Sequence, residues 1–399
     1  MRILWVKAGG LWPLTTGGRL RSFHTLAELS RRHRVVLLTT HGRDEDPEEL
    51  AARLPDCERV VSFPHRAPKQ GSAGLAAALV RSWLSELPVD VLKWRAPRLR
   101  AEATRLIESG GVDLCVADFL TAVPNVPLGG PVPVVLFAHN VEHVIWKRLA
   151  AAETRPLRKL LLEIEWRKMR RFEAKACARA DLTLAVSEKD RAALVENSPG
   201  ARVSAVSTGV DTSYFIPGGD RESPGRLVFT GSMNWYPNED GVLRFMDEIL
   251  PLIRREEPAA ALTVVGRDPS PRLRQAAEPA GVRVTGAVDD IRPYMADGSV
   301  FVVPLRVGGG TRLKIFEALA MGKAVVSTTV GAEGLSLVPG EHLLVADEPA
   351  QFARAVVTLL RDEGRRRALG TAGRRLVEER YGWPQVTREF EGYLEGVAR

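Results

Sequence analysis

The sequence predicts an α/β protein built from two doubly wound parallel-sheet domains of similar size. Short runs rich in Val, Ile and Leu alternate with helical patterns along the 399 residues. Nearly continuous apolar runs of this kind are typical of strands buried on both faces of a parallel sheet. The alternation stops at GVDTSYFIPGGDRESPG, residues 209–225, and then starts again. Because this composition is typical of a linker, we expect two domains joined by one connection.

The alternating pattern fixes the expected elements and domain bounds. We expect strands at residues 2–6, 34–39, 59–62, 112–117, 132–138 and 181–186, and then at 227–230, 262–265, 282–285, 300–303, 324–328 and 343–345. We expect helices at 19–31, 101–109, 238–254, 290–296, 312–321, 349–361 and 364–380. The first domain is predicted over 1–208, the linker over 209–225, the second domain over 226–380, and a C-terminal helix that packs back toward the first domain over 381–399. Two such domains leave a cleft that the carboxyl ends of their strands face.

Composition excludes several classes of protein. Hydrophobic residues make up 45% and charged residues 26% of the chain, which excludes a disordered chain, a collagen-like chain and a coiled-coil rod. No apolar stretch approaches the ~18 residues of a membrane-spanning helix, and the first apolar run is too short for a signal peptide. Cys57, Cys115 and Cys177 have no metal-ligand spacing. We therefore expect a cytoplasmic protein with reduced thiols.

The positive charge of the chain is concentrated in one segment. Residues 147–179 contain eleven Lys and Arg against four Glu, a net charge of +7 that equals the formal charge of the whole chain. Apolar residues recur there at helical spacing, so the segment is either a basic amphipathic helix on an anionic membrane or a solvated helix face packed on the first domain. LAAALVRSWL, residues 75–84, is a second candidate acceptor or membrane loop. We expect no nucleic-acid partner, because no aromatic stacking platform or binding motif accompanies the charge.

The most informative motif is PLRVGGGTRLKIFE, residues 304–317. Three glycines follow an apolar strand and allow a ligand to approach the backbone closely. The helix that begins after them offers free N–H groups, to which Arg312 and Lys314 add positive charge. The pattern favours a phosphate or diphosphate, and Glu317 could accept hydrogen bonds from a ribose diol. The alternative is a tight turn followed by a helix with a solvated basic face.

At this motif the chain resembles the family 4 retaining glycosyltransferases, which have the GT-B fold. The segment from Gly309 to Glu317 occupies the position of the family's E-x7-E element. Further resemblance lies in LAMGKAVVSTTVGAEGL and in segments 187–190, 207–215, 229–241, 264–270 and 284–296, which read SEKD, STGVDTSYF, FTGSMNWYPNEDG, VVGRDPS and VTGAVDDIRPYMA. The resemblance covers essentially the whole chain, and the motifs follow the family's order.

The resemblance implies a sugar transferase of the bacterial exopolysaccharide or cell-surface glycan type. Its donor would be a nucleoside-diphosphate sugar, its acceptor a glycan, a lipid-linked sugar or a small molecule, and it would need neither cofactor nor metal. The second Glu of the element would bind the ribose, and the backbone near Gly266 and Val288 would line the base. The donor-binding residues would be Gly17, Gly18, Arg19, Gly231, Ser232, Gly266, Arg267, Val288, Gly310, Thr311, Arg312, Leu313, Lys314 and Glu317.

The first domain contributes its own candidates. GGLWPLTTGGRLRSFH, residues 9–24, lacks the G-x-G-x-x-G fingerprint but resembles the family's glycine-rich loop, in which Arg19 would face the donor diphosphate. His139 follows the predicted strand 132–138 and resembles the family's cleft histidine near the donor sugar. Asp118 follows the strand before it and is a candidate for acceptor contact. The alternatives are structural roles. The glycines would form a turn, Arg19 would lie on a helix surface, and His139 and Asp118 would be buried polar side chains.

Two departures from the family pattern affect the donor site. Gly309 stands where the family has the first Glu of its element, which contacts the sugar hydroxyls. Ser232 and Asn238 stand where the family has an Arg and a Lys after the first strand of the second domain. We expect Arg312 and Lys314 to replace that missing charge from the neighbouring loop.

The expected mechanism stabilises the leaving diphosphate. Arg312, Lys314 and Arg19, with His139 beside the sugar, would form the catalytic group. No nucleophile–base pair or flanking pair of carboxylates appears, so a hydrolase is not expected. The acidic sequences at 44–46 and 289–290 are predicted to cap helices rather than to bind metal. An epimerase on the same fold and a non-catalytic binding or chaperone protein remain the alternatives, and weak attachment to the inner membrane face is a further expectation.

Overall fold

The computed structural model describes residues 1–68, 72–219, 222–307 and 313–398. It divides into two compact units. Unit 1 comprises Met1–Ser207 and Val386–Arg399, and unit 2 comprises Thr208–Gln385. Each unit contains one parallel sheet with helices around it, which confirms the predicted pair of Rossmann-like α/β domains.

The sheet of unit 1 has seven parallel strands among the described residues, in the order β3-β2-β1-β4-β5-β6-β7. These strands are β1 Arg2–Lys7, β2 Arg34–His41, β3 Arg59–Pro64, β4 Leu114–Asp118, β5 Val134–Ala138, β6 Leu182–Ala185 and β7 Val203–Ala205. The two central strands β4 and β5 are buried along their whole length, as their unbroken apolar sequences require. All six predicted strands of this domain are present. The short strand β7 was not predicted.

Helices cover the sheet of unit 1. They are α1 Gly17–Ser30, α2 Pro47–Ala52, α3 Ala73–Trp83, α4 Val89–Leu92, α5 Pro97–Glu108, α6 Glu142–Ala152, α7 Pro156–Arg179 and α8 Glu188–Asn197, with a 3₁₀ turn at Leu120–Asn125. The C-terminal helix Trp383–Ala398, here α16, joins this unit from Val386 onward. Its Phe390 ring lies 5.9 Å from the Trp5 ring and 4.9 Å from the Phe137 ring, so the end of the chain completes the core of the first sheet.

Unit 2 repeats the arrangement with six parallel strands among its described residues, in the order β10-β9-β8-β11-β12-β13. The strands are β8 Arg226–Thr230, β9 Ala261–Val265, β10 Arg283–Val284, β11 Val300–Val303, β12 Ala324–Ser327 and β13 Leu344–Val345. Its helices are α9 Tyr236–Arg244, α10 Leu250–Glu256, α11 Pro271–Ala277, α12 Arg292–Asp297, α13 Leu313–Ala320, α14 Pro349–Arg361 and α15 Glu363–Leu376, with π-helical turns at Phe245–Ile249 and Val377–Tyr381. All six predicted strands of this domain are present.

The strand order reverses once in each sheet, between β1 and β4 in unit 1 and between β8 and β11 in unit 2. The chain leaves the two strands at such a switch point in opposite directions and leaves a crevice outside their carboxyl ends, where ligands of open α/β sheets bind. The residues that follow these four strands are therefore the first candidates for a site.

The long helix α7 carries two buried carboxylates that face inward. Glu165 accepts a hydrogen bond from the backbone N–H of Val89 at 2.7 Å, at the start of α4. Glu173 accepts one from the N–H of Glu142 at 2.7 Å, at the start of α6. Each carboxylate thus satisfies an unpaired helix N-terminus and its partial positive charge. Two of the four Glu side chains of residues 147–179 therefore point away from water and do not neutralise the basic residues at the surface.

Candidate functional site

A buried group of charged side chains lies at the switch point of unit 1. Parallel pairing sets Lys7, the last residue of β1, level with Asp118, the last residue of β4. The Lys7 ammonium lies 3.2 Å from one Asp118 oxygen and 3.1 Å from the Ser22 hydroxyl. Trp5 donates its indole N–H to the same carboxylate at 3.0 Å. All four side chains are almost completely buried by the described residues, so this ion pair is shielded from water.

His139, the first residue after β5, completes this group. Its Nε2 lies 2.6 Å from the second Asp118 oxygen, and its Nδ1 lies 2.8 Å from a nitrogen of the buried Arg21 guanidinium. A guanidinium only donates, so Nδ1 must accept and the ring proton must sit on Nε2, from which it is donated to Asp118. His139 is therefore a neutral imidazole with both nitrogens engaged.

The pKa values agree with this assignment. Burial lowers the pKa of His139 to about 3, against the opposing effect of Asp118. Burial alone would raise the pKa of Asp118, but the Lys7 charge and the hydrogen bonds hold it well below its usual range. At neutral pH the group thus contains an ionised carboxylate and a neutral imidazole.

Phe119 connects this group to the glycine-rich loop. Its ring stacks on His139 with the centroids 3.8 Å apart and the planes 2° from parallel, and the Lys7 ammonium lies 4.1 Å from its centroid. Phe119 has a φ of 72°, a strained value for a bulky residue. A side chain at Gly18 would overlap this ring. Glycine is therefore required at position 18 by packing, where α1 begins.

Arg19 is less available than the sequence predicts. Its guanidinium forms an ion pair with Glu45 at 2.5 Å and donates to the carbonyl of Pro13 at 3.2 Å. Glu45 also accepts from the N–H of Gly42 at 2.8 Å, which holds the acidic loop in place. The predicted free charge beside Gly17 is thus already neutralised within unit 1.

In unit 2 a lysine of α13 packs against the loop after β8. The Lys314 ammonium lies 2.8 Å from Asn238 Oδ1 and 4.0 Å from the centroid of the Phe229 ring. Asn238 Nδ2 in turn donates to the carbonyl of Ser232 at 2.9 Å. A Cβ at Gly231 would lie 2.7 Å from this ammonium, so the charge sits directly against the backbone of the loop.

The loops after β8 and β9 touch through glycines. A Cβ at Gly266 would overlap the carbonyl of Gly231, so only glycine fits there. The next side chain, Arg267, donates through Nε to the Ser232 hydroxyl at 2.9 Å. Gly266 also pairs with Gly286, and the half-buried Val288 lies two residues further along that loop. The structure thus brings together the predicted residues Gly231, Ser232, Gly266 and Arg267, with Val288 beside them.

Glu317 lies half-buried on α13, one helical turn beyond Lys314. Burial raises its pKa to about 7, although the Lys314 charge opposes the rise. Within the described part of the chain no hydrogen-bond donor reaches its carboxylate. Leu313 is the first described residue of α13. The predicted site residues Gly310, Thr311 and Arg312, and the departure at Gly309, lie outside the described residues.

The acidic motifs lie at the starts of helices, and only Asp46 is the N-cap residue itself. Asp46 caps α2 by accepting from the N–H of Glu48 at 2.8 Å, and Asp290 accepts from the N–H of Arg292, the first residue of α12, at 2.9 Å. In the ranges that the structure describes, no group of three His, Cys, Asp or Glu is arranged to hold a metal ion. Over those same ranges no helix has both the length and the apolar sequence needed to cross a bilayer.

Sequence reasoning missed Lys7, Arg21 and Phe119. A lysine that ends an otherwise apolar strand was a usable signal for Lys7, because the carboxyl end of a central strand is where a parallel sheet forms its site. Nothing in the sequence indicated Arg21 or Phe119, since the Arg21–His139 and Gly18–Phe119 contacts join segments about a hundred residues apart.

Two family profiles match the chain. "Glycosyltransferase Family 4" matches residues 16–214, and "Glycosyl transferases group 1" matches residues 224–362. The two profiles together cover most of the chain, and the chain belongs to the family 4 glycosyltransferases.

Curated relatives are moderately similar. An uncharacterised 44.6 kDa protein in the cps region of Klebsiella pneumoniae is 23% identical over 89% of this chain and 90% of its own length. A GDP-mannose-dependent alpha-(1-6)-phosphatidylinositol monomannoside mannosyltransferase of Mycobacterium tuberculosis is 32% identical, over 50% of this chain and 57% of that protein.

Solved structures share the fold over nearly the whole chain. Sucrose-phosphate synthase from Thermosynechococcus elongatus superposes with a TM-score of 0.73 at 16% identity, over 99% of this chain and 98% of that one. Anabaena HepE in complex with UDP gives a TM-score of 0.68 at 15% identity, over 99% and 100%. These likenesses confirm the predicted GT-B class of fold.

The buried ion pair makes a prediction about stability. Asp118→Asn leaves the Lys7 ammonium without its counter-charge, so we expect a loss on the order of 3 kcal/mol in the free energy of unfolding at pH 7. Because the folded pKa of Asp118 is depressed, its contribution is present above the unfolded value of about 3.9 and is lost as the pH falls through the folded pKa. Urea unfolding of variant and parent across this range measures the difference.

Asp113→Asn is the matched control for this prediction. Asp113 is exposed just before β4 and accepts one hydrogen bond from the N–H of Arg2, so we expect a loss below about 1 kcal/mol. Equal losses in the two variants would contradict the special role of the Lys7–Asp118 pair.

Proposed function

We propose that this glycosyltransferase moves a sugar with retention of configuration from a nucleoside-diphosphate sugar, bound by unit 2, to an acceptor hydroxyl, bound by unit 1. The bond between the sugar C1 and the diphosphate oxygen breaks, the acceptor oxygen bonds to C1 on the same face, and the acceptor proton passes to the leaving diphosphate. No metal takes part. The acceptor is a glycan, a lipid-linked sugar or a small molecule, and polysaccharide biosynthesis is the expected context. The GDP-mannose in one relative's name and the UDP in a fold neighbour's structure support this donor class.

The observation that carries the proposal is the position of the Lys314 ammonium. Asn238 stands where the family pattern has a lysine, and the ammonium of Lys314 lies 2.8 Å from the Asn238 side chain. The charge is therefore supplied from α13 to nearly the place that a lysine at 238 would occupy. A fixed positive charge there would stabilise the negative charge that develops on the leaving diphosphate.

A second replacement supports the same donor site. Ser232 stands at the other position where the family pattern has a basic residue, and the Arg267 guanidinium donates to its hydroxyl at 2.9 Å. Arg267 and Lys314 thus stand on either side of the loop that begins at Gly231. Arg312 would add to this charge. A diphosphate bound along the loop would meet these charges.

His139 has a narrower role in this proposal than general acid or base. Its Nδ1 accepts from Arg21 and its Nε2 donates to Asp118, so proton transfer would first require one of these bonds to break. We assign it to holding the rim of unit 1 beside the transferred sugar, with Asp118 and Lys7 fixing its orientation. The overall reaction is tested by incubating the protein with nucleotide sugars and acceptors and determining the anomeric configuration of the product by NMR.

Exchange of two side chains tests the position of the charge. Lys314→Asn should weaken binding of UDP or GDP by about 10–100-fold, the range expected for one charge-assisted contact of 1.5–3 kcal/mol. Adding Asn238→Lys to that variant returns an ammonium to the same place, so the double variant should recover to within about fivefold. Isothermal titration calorimetry measures these affinities.

The control for this exchange restores the charge elsewhere. Gln351→Lys lies on the exposed side of α14 and, added to Lys314→Asn, restores the net charge of the protein but not its position. It should give no recovery. Equal recovery from both added lysines would show that only net charge matters and would contradict the proposed diphosphate site.

Glu317 provides a pH-dependent prediction. Burial raises its folded pKa to about 7, so the ligand-free protein loses stability as the pH rises from the unfolded value near 4.3 to 7. Glu317→Gln removes this loss and should be more stable than the parent by roughly 3 to 4 kcal/mol at pH 8 and equal to it near pH 4.5. If the ionised carboxylate accepts from the ribose hydroxyls, the parent should bind UDP or GDP about tenfold better than the variant at pH 8, and the advantage should shrink at pH 6.

Urea unfolding and calorimetry at several pH values measure both effects. Glu379→Gln, an exposed carboxylate elsewhere in unit 2, serves as the control and should change neither. A Glu317→Gln variant that binds the nucleotide as well as the parent at pH 8 would exclude the ribose contact.

The tip of the α6–α7 pair supports weak membrane attachment as part of the proposed function. Leu149, Leu157 and Leu160 are exposed to 49%, 79% and 58%, although leucine is normally buried. Arg148, Arg155 and Lys159 lie exposed among them. Exposed leucines among basic side chains fit the interface of an anionic bilayer. The inward-facing Glu165 and Glu173 leave this surface with less negative charge than the sequence suggests.

Vesicle flotation tests this attachment. The parent should float with vesicles of phosphatidylglycerol and phosphatidylcholine, less so at high salt, and not with phosphatidylcholine alone. The double variant Leu157→Glu and Leu160→Glu should bind these vesicles at least tenfold more weakly, because insertion of two leucine side chains into the bilayer contributes several kcal/mol. Val338→Glu changes an equally exposed apolar residue of unit 2 and should bind like the parent. Failure of the parent to float with anionic vesicles would rule the attachment out.

A further inference from the structure

A pocket of unit 1 lies beside the glycine-rich loop, and Arg19 is one of its lining residues. It has a volume of about 550 Å³ and opens at the carboxyl ends of β1, β2 and β3. This volume lies within the range of about 300–1,000 Å³ in which proteins hold small organic ligands. Its walls come from the loops after these three strands and from the chain that follows α4.

One wall of the pocket is the indole ring of Trp94. The backbone of Gly9 packs against this ring, since a Cβ there would lie 3.5 Å from the benzene half of the indole, and Gly9 has a φ of 103°. The buried Asn125 fixes the chain around the ring, as it donates to the Trp94 carbonyl at 3.0 Å and accepts from the N–H of Ala96 at 2.8 Å. Trp94 is therefore a rigid aromatic wall.

Polar groups surround this wall. His65 lies next to Trp94, with the ring centroids 5.6 Å apart, and its Nε2 lies 2.8 Å from the carbonyl of Lys93. A carbonyl only accepts, so Nε2 carries the proton and Nδ1 is the acceptor. His41 is bound through Nδ1 to the Ser62 hydroxyl at 2.7 Å, which leaves its Nε2 for another partner. Each imidazole is thus oriented by one bond to the protein.

The Arg19–Glu45 ion pair forms the side of the pocket nearest the glycine-rich loop. Its carboxylate is already bound to Arg19 and to the N–H of Gly42, so it is a fixed acceptor rather than a mobile charge. Arg19 thus orients Glu45 at the edge of this pocket.

We propose that this pocket binds a pyranose ring of the acceptor, with one face of the ring against Trp94 and its hydroxyls on His41, His65 and Glu45. A rigid aromatic face with a few oriented donors and acceptors suits a ligand that has an apolar face and a rim of hydroxyls. This inference rests on the proposed function, because it supplies the acceptor half of the same transfer. In this proposal Arg19 positions the Glu45 carboxylate.

The test uses p-nitrophenyl hexopyranosides as acceptor probes and measures nucleoside diphosphate released from the donor. The parent should release it faster when a pyranoside is present. Trp94→Ala should raise the KM for the pyranoside at least tenfold while the Kd for UDP or GDP stays unchanged, and Trp94→Phe should recover most of the loss. Val338→Ala removes an exposed apolar side chain of unit 2 that does not line the pocket and should leave acceptor-dependent release unchanged.

Each result separates this inference from the proposed function. If the parent neither binds nor consumes any nucleotide sugar, the proposed function itself is wrong. If the parent consumes the donor but no pyranoside accelerates it, or Trp94→Ala keeps the parental KM, the assignment of this pocket is wrong and the transferase is not. Thermal unfolding of Trp94→Ala checks that the variant is folded. If it is not, Trp94→Phe and His41→Gln are compared by the same KM, which each should raise severalfold.

Discussion

Parallel strand pairing is the constraint on which the rest of this molecule depends. In a parallel sheet all carboxyl ends lie along one edge, and at a switch point two neighbouring strands send the chain to opposite faces. The register of β1 with β4 sets Lys7 level with Asp118. The same topology in unit 2 pairs β8 with β11 at its switch point. Both groups of functional candidates therefore arise from the order of the strands before any side-chain chemistry is considered.

The two units use charge differently. In unit 1 the charges are buried and satisfied by each other, which makes the Lys7, Asp118, His139 and Arg21 group rigid but leaves none of its members free. In unit 2 the Lys314 and Arg267 cations are half-buried: Lys314 is held by Asn238, and Arg267 by Ser232 and by the Asp268 carboxylate at 3.7 Å. We propose that the half-buried cations of unit 2 serve a diphosphate and that the oriented polar groups of unit 1 serve a neutral, hydroxyl-rich ligand.

Much of the fold followed from the sequence because buried parallel strands are nearly continuous apolar runs. The exception, β7, has only the short sequence Val-Ser-Ala and gives no such signal. The family pattern gave Gly231, Gly266 and Glu317, and the structure brings the first two into contact. It could not reveal that Arg19 pairs with Glu45 or that His139 lies between Arg21 and Asp118. Those contacts depend on how loops from distant strands meet, which periodicity does not encode. The inward orientation of Glu165 and Glu173 was hidden for the same reason, since their partners are the N-termini of other helices.

The account rests on the claim that unit 2 binds the diphosphate of a nucleotide sugar through fixed positive charge. Calorimetric titration of the unaltered protein with UDP, GDP and ADP, and with the matching nucleosides, tests it most directly. The account predicts that at least one nucleoside diphosphate binds about a hundredfold or more tightly than its nucleoside, with an affinity that falls as salt is added. A nucleoside that binds as tightly as its diphosphate, or the absence of binding by all three diphosphates, would contradict it.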